Sequence, residues 1–333
     1  MAFEMRQSTK YSGGATHIFA VASLAVLGLF SMAAATQGSA QQTAPGKSAM
    51  GKASNQPQPG QQTFSSCEEA SKALIAAIQK NDEPALLKIL GANAKEIISS
   101  GDDAEDQNDR AQIAQKYQQM HRLVMEPDGS TTLYVGAENW PTPIPLMHKG
   151  SAWYFDTAAG KQQILYRRVG KNELMAIQVC GTLVDAQKEY YAQSHDGDKD
   201  QQYAQKLYSD PGKHNGLYWE ASAGDTASPI GPLVAHAADS DIDSPMHQPF
   251  MGYYFRVLKE EGSKRGRSYI VDGKMTRGFA FVAYPAEYRS SGVMTFVVNQ
   301  DGIVYEKDLG PRTPEIVKTL TRYDRDATWR KAD

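Results

Sequence analysis

The densest group of side chains able to do chemistry is the pentapeptide Asp196-Gly197-Asp198-Lys199-Asp200. Closely spaced carboxylates present hard oxygen ligands, the donor type that Ca2+ selects. The phrase departs from an EF-hand loop, because its glycine is misplaced and no glutamate stands twelve residues from Asp196. Asp196, Asp198 and Asp200 therefore read either as a Ca2+ loop or as a solvated acidic turn, and Ca2+ is the one cofactor the sequence suggests. Four histidines, His195, His214, His236 and His247, fall in the same irregular region. They would bind a transition metal only if the fold brought them to one centre, and histidines scattered over a loop usually do not converge.

A second set is aromatic. Tyr117, His121, Trp140 and Trp153 are the residues to look for around an apolar ligand pocket in the first half of the chain. The plainer alternative is that they fill a core, and no Asp or Glu stands out beside them as a desolvated base. Cys67 and Cys180 are the only cysteines. In an exported protein such a pair can form a disulfide. Both lie on expected helices, where a small buried apolar role is also common for Cys.

Several familiar chemistries lack their signatures. No two glycines are separated by a single residue, which removes the Gly-x-Gly-x-x-Gly dinucleotide turn. Gly46-Lys47-Ser48 lacks the earlier glycine of a phosphate loop. There is no Gly-x-Ser-x-Gly, no His-Glu-x-x-His and no Cys-x-x-Cys. A catalytic site assembled from scattered residues would escape such a search.

The elements that must position these residues belong to a chain of 333 residues with a formal net charge of −3 and 41% hydrophobic side chains. That length allows two ordinary domains. The near-neutral balance lacks the electrostatic footprint of sequence-independent nucleic-acid binding. Lys264-Arg265-Gly266-Arg267 is the only dense basic cluster and reads as a solvated loop.

Residues 1–40 read as a secretory signal peptide: Arg6 and Lys10 precede a nearly unbroken apolar run over 18–35, and small-x-small sites follow at Ala33-Ala34-Ala35 and Gly38-Ser39-Ala40. An uncleaved membrane anchor competes, because the run approaches the roughly 20 residues that span a bilayer. No Cys follows the run to accept a lipid. Residues 41–63, rich in Gln, Ala, Pro, Gly and Ser, read as a disordered leader.

Ordered structure is expected from Phe64. Ser66-Cys67-Glu68-Glu69 fits a capping box, Asn81-Asp82-Glu83-Pro84 separates two helices, and Gly91 ends the second. A third helix is expected over 110–120. Short strands follow at 122–125, 131–135, 144–147 and 152–155, so helices meet a small antiparallel meander in an α+β domain over 64–169. Residues 157–193 read as helix with a possible break at Gly170, and its apolar stripe must pack on something large. A long irregular region over 194–249, with a short helix at 201–208, precedes strands at 252–258, 268–271 and 274–284. The stretch 278–310 is the clearest structural signal: its strands join through Asp301-Gly302, which supplies positive φ. Strands rich in apolar residues on both faces should be central. Residues 303–308 look like an edge with charge facing water. A last helix starts near Thr313-Pro314-Glu315.

Several long phrases carry a family likeness: PTPIPLMHKGSAWYFDTAAGKQQILYRRVGKNELMAIQVC, PGKHNGLYW, GYYFRVL, GFAFVAYPAEYRSSGVMTFVVNQDGIVYEKDLG and the final DRDATWR. They resemble the bacterial exported family known as domain of unknown function 2950 over about residues 64–330. That resemblance brings no established catalytic or binding residues. The element order over 64–156 resembles the nuclear-transport-factor and ketosteroid-isomerase superfamily. The helix from Asn172, the irregular loop and the antiparallel sheet resemble the soluble half of type IV pilins and pseudopilins, although here a whole domain precedes that helix.

The sequence thus predicts an exported two-domain α+β protein, periplasmic or secreted, with a C-terminal helix-plus-sheet domain over 170–333. Its expected role is a non-catalytic binding or assembly module of the envelope, and the alternative is a small-ligand binder or enzyme using the N-terminal pocket. The expected partner is an envelope protein or a small ligand, with no nucleic acid and with membrane contact only through an uncleaved N-terminal segment.

Overall fold

The computed structural model describes residues 56–99, 103–221, 226–238, 248–262 and 266–332. The expected signal peptide, most of the leader, His247 and the Lys264-Arg265 pair lie outside the described residues. The chain divides into two compact units, the first ending at Thr157 and the second beginning at Ala158.

In the first unit, α1 (Cys67–Gln79), α2 (Glu83–Leu90), a 3-10 turn (Ala92–Ala94), α3 (Lys95–Ile98) and α4 (Asp103–Gln119) precede five strands. These are β1 (His121–Met125), β2 (Thr131–Val135), β3 (Trp140–Pro141), β4 (Leu146–Lys149) and β5 (Ala152–Phe155), all paired antiparallel in the order β1-β2-β4-β5 with β3 also on β2. The helix starts follow their chemistry. Ser66 Oγ accepts from the Glu69 N–H at 3.1 Å, but the Glu69 carboxylate turns to the N–H and hydroxyl of Ser65, so the box closes one residue earlier than expected. Asp82 caps α2 through the Ala85 N–H, and Gly91 ends it at φ 89°. Leu74, Ile75 and Ile78 of α1 meet Leu86, Ile89 and Leu90 of α2 over Leu146 and Phe155 of the sheet. The buried Gln61 amide donates to the carbonyls of Ile89 and Phe155, tying the incoming chain to this core.

The second unit is built on α5 (Thr157–Tyr191). This helix runs through Gly170 without a break, because that glycine keeps ordinary helical φ. Among the described residues no helix is long and apolar enough to cross a membrane. After α6 (Pro232–His236) come β6 (Tyr253–Leu258), β7 (Glu260–Glu261), β8 (Arg267–Ser268), β9 (Ile270–Val271), β10 (Lys274–Met275), β11 (Ala280–Pro285), β12 (Met294–Asn299), β13 (Tyr305–Asp308), α7 (Thr313–Thr319), β14 (Arg322–Tyr323) and β15 (Arg330–Lys331). The main sheet has the order β15-β13-β12-β11-β6, and a smaller one the order β14-β7-β8.

Ala176, Val179, Cys180, Leu183 and Val184 of α5 share one buried cluster with Phe255, Phe281, Phe296 and Val298 of the sheet, so the helix stripe packs on the sheet as its pattern requires. Each fully buried Leu or Phe there contributes about 2 to 3 kcal/mol by removal of apolar surface from water. Two polar pins fix the register of helix on sheet. Asn172 donates to the Ser291 carbonyl at 2.9 Å, and the Glu173 carboxylate accepts from the N–H groups of Val293 and Met294 at 2.8 and 3.0 Å.

Four local expectations are corrected. Residues 201–208 are not helical: the buried Gln187 amide exchanges two 2.8 Å hydrogen bonds with the Ala204 backbone and holds that segment extended. The single strand expected over 274–284 is two, β10 and β11, interrupted around Gly278 at φ 142°. The strand at 305–308 is not the rim, because β15 pairs with it through Glu306 and Arg330. The apolar β6, expected to be central, is the rim strand instead.

Candidate functional site

The three aspartates of the acidic loop do not converge. Asp196, at φ 54°, turns its carboxylate to His214 and accepts from the backbone N–H at 2.9 and 3.0 Å, with Nδ1 at 3.1 Å. Asp198 and Asp200 each lie 2.6 Å from the Lys274 ammonium on β10, so a cation of this chain sits where a metal ion would bind. Hydrogen bonding to Lys274 holds the Asp198 carboxyl below the usual carboxylate range, and Asp198 in turn raises the lysine. Among the described residues no group of three His, Cys, Asp or Glu side chains is placed to hold a metal ion. The Ca2+ expectation rested on spacing along the chain, and the left-handed turn at Asp196 together with Lys274 divides the set.

The histidines are spent on packing. His195 stacks on Tyr190 with ring centroids 3.9 Å apart, and its Nε2 lies 2.9 Å from the Tyr190 carbonyl. His214 meets the edge of Trp219 at 4.8 Å, and His236 stacks on Tyr208 at 5.6 Å. The Tyr190 hydroxyl donates to the His214 carbonyl at 2.7 Å, and burial, then the charges of Asp196 and Asp198, push its pKa up to about 12. A phenol held protonated in this way ties the end of α5 to the loop at His214 and serves as no base near neutral pH.

In the first unit Tyr117 and His121 come together as a stacked pair at 3.7 Å, with the exposed His121 bonded to the Tyr117 carbonyl. Tyr117 and Trp153 are half-buried against the core. Trp153 pairs its backbone with Phe64 and its ring lies 5.0 Å from His148, while Trp140 sits on β3 opposite Val135. Cys67 and Cys180 are free thiols. Cys67 opens α1, and burial, then Glu68, raises its pKa; Cys180 is wholly buried in the second unit, where desolvation pushes it up to about 12. Such thiols are protonated and poorly reactive.

A groove of about 580 Å3 runs along the outer edge of β6, bounded opposite by residues 205–211. Phe255 directs its N–H outward to the Ala237 carbonyl at 2.8 Å, and Tyr253 does so to Phe250 at 3.0 Å. Residues alternate in a ladder, so Val257 directs its N–H and C=O to the same side. There they meet no backbone partner among the described residues. Phe255, Val257 and Lys259 line one wall, and Leu207, Tyr208 and Asp210 line the other. Lys206 is paired with Asp210 at 2.8 Å. Sequence patterning missed this site because the apolar alternation of β6 is that of a central strand, and only the sheet order exposes its edge.

The architecture defines a two-unit α+β protein whose second unit offers, among the described residues, one unpaired backbone N–H and C=O, those of Val257, beside a cavity. The chain belongs to the family described as protein of unknown function DUF2950, whose model matches residues 61–332. No curated protein and no solved structure matches the chain.

Proposed function

We propose that the chain is exported and acts as a non-catalytic binding module of the periplasm or envelope, receiving an extended segment of a partner along β6. The observation that carries this is the Val257 backbone pair facing a groove of about 580 Å3. A strand edge gives main-chain hydrogen bonds, and adjoining side-chain pockets give selectivity, which is how extended peptides add to sheets. The ionisable groups of the acidic loop are engaged with one another, which favours binding over catalysis. The apolar N-terminal run with its small-residue sites supports export.

Peptides selected on the purified chain by display test the site. The expected result is that they slow hydrogen exchange at the Val257 N–H and lose affinity in Val257→Pro, a change a rim strand tolerates. Peptides that bind Val257→Pro as well as the parent would overturn the site. For export, cell fractionation with mass measurement should find the chain outside the cytoplasm and shortened to a start after Ala35 or Ala40; a full-length cytoplasmic chain would overturn it.

A further inference from the structure

The sheet of the first unit has one covered rim and one open rim. At β5, Phe64 exchanges two backbone hydrogen bonds of 2.9 Å with Trp153 and covers the edge. At the other rim, β1 pairs with β2 alone. The Glu126 N–H donates to the Ser130 carbonyl at 2.8 Å, and the Gly136 N–H donates to the Met120 carbonyl at 2.9 Å, so the even-numbered residues here turn their polar groups to β2. Alternation along the ladder turns the N–H and C=O of His121, Leu123 and Met125 outward. Among the described residues these groups meet no backbone partner. Solvent reaches the rim, since His121 and Arg122 are exposed and Met125 is 73% exposed. The strand also lacks the proline, lysine and bulge that commonly block such an edge.

A row of outward groups centred on one residue is its own complement. Turned antiparallel about a two-fold axis at Leu123, two copies set His121 against Met125 and Leu123 against Leu123, and each pair exchanges an N–H and a C=O both ways. Only this register uses all three outward residues. Their side chains share one face, on which Leu123 packs against the core. There the exposed Met125 thioether would meet the stacked Tyr117 and His121 rings of the second copy, a contact that polarisable sulfur favours. On the other face Arg122 bonds Asn139 at 2.8 Å and lies over the Tyr134 ring at 4.6 Å from the centroid, which holds each copy's charge over its own sheet.

We propose that the chain forms an isologous dimer through β1, joining the two N-terminal sheets edge to edge in the register centred on Leu123. A ladder five residues long falls below the roughly 1,200 Å2 of a standard interface, so the dimer is a weak one.

The test is sedimentation velocity of the purified chain from about 10 μM to about 1 mM, the range in which small interfaces associate. Two variants are compared with wild type. Met125→Pro deletes an outward N–H and leaves the pairing with β2 intact, a change a rim strand tolerates, whereas Met125→Leu keeps that N–H. The expected result is a concentration-dependent dimer, weakened about tenfold or more in Met125→Pro, because the two-fold axis makes the loss act twice, and changed by less than about threefold in Met125→Leu. In wild type, whatever the folding of the variants, hydrogen exchange at the His121, Leu123 and Met125 N–H groups should slow as concentration rises. A wild type that stays monomeric, growth beyond a dimer, a Met125→Pro dimer as tight as wild type, equal losses in both variants, or exchange indifferent to concentration would each overturn the proposal. None of these outcomes bears on the β6 groove.

Discussion

In the 196–200 loop three carboxylates lie within five residues, and each has found a partner in its own chain: His214 for Asp196, and Lys274 for Asp198 and Asp200. The carboxylates of Glu261, Asp301 and Asp324 come from three separated segments and line a cavity where Arg325 is the one cation among the described residues. Density along the chain marked the first group, yet that group is closed. Carboxylates crowded on one short loop repel one another, and folding relieves this most simply by bringing in a cation. Carboxylates on separate elements are spaced by the framework. The difference shows that charge density along the chain is a poor guide to which carboxylates line a cavity.

The two regions should also differ in how far they depend on the core. Gly278 stands at φ 142°, and an added Cβ there would come 2.9 Å from both Gln300 Oε1 and Tyr269 Cε1. Gly278→Ala should therefore cost roughly 3 kcal/mol from backbone strain and crowding, and it should displace Tyr269. Thermal unfolding checks the cost; an unchanged midpoint would contradict the crowding of Gly278 by Gln300 and Tyr269.

Gly302, at φ 76°, comes near only Val184 Cγ1 at 3.9 Å. Gly302→Val should accordingly cost only the strain of a β-branched residue at positive φ, about 1 to 3 kcal/mol, while disturbing the adjacent Asp301. A variant as stable as wild type would contradict the left-handed turn.

Lys274→Met opens the closed cluster. Asp198 has a depressed pKa in the folded state, so its contribution is present above the unfolded value of 3.8 and is lost as pH falls through the lower folded value. Lys274 has a raised pKa, so its contribution is present below 10.5 and is lost as pH rises through the higher folded value. The wild type should melt slightly above the variant between about pH 4 and pH 10 and converge with it outside that window. Millimolar Ca2+ should raise the melting point of the variant and leave the wild type unchanged. A Ca2+ response in the wild type would mean that Lys274 does not close the loop.

The smallest effect has the opposite sign. Tyr269→Phe removes a buried hydroxyl that makes no close hydrogen bond and has only a weak interaction with the Glu261 carboxylate, so stability should rise by about 1 kcal/mol or stay level. A fall in stability would show that the hydroxyl is already satisfied.

Much of the fold was legible in local chemistry. Ser66, Asp82 and Gly91 act as start and stop signals because capping is a contact within a few residues. The α5 stripe from Ala176 to Tyr190 announced a buried face, and Asp301-Gly302 announced positive φ. Residues 201–208 misled because their backbone partner is the Gln187 amide, a choice no propensity in that segment records. Residues 253–258 misled because periodicity tells which faces are buried and says nothing of which strand stands beside them.

The sequence by itself determined the α+β class, the starts of α1 and α2, the apolar faces and the family, since each depends on neighbours in the chain or on phrases that survive as contiguous text. Only the tertiary structure decided that β6 is a rim, that Lys274 closes the acidic loop from β10, and that Glu261, Asp301 and Asp324 surround one cavity. Those facts depend on which segments meet across the fold, and sheet order and long-range charge pairing are settled by packing the whole chain at once.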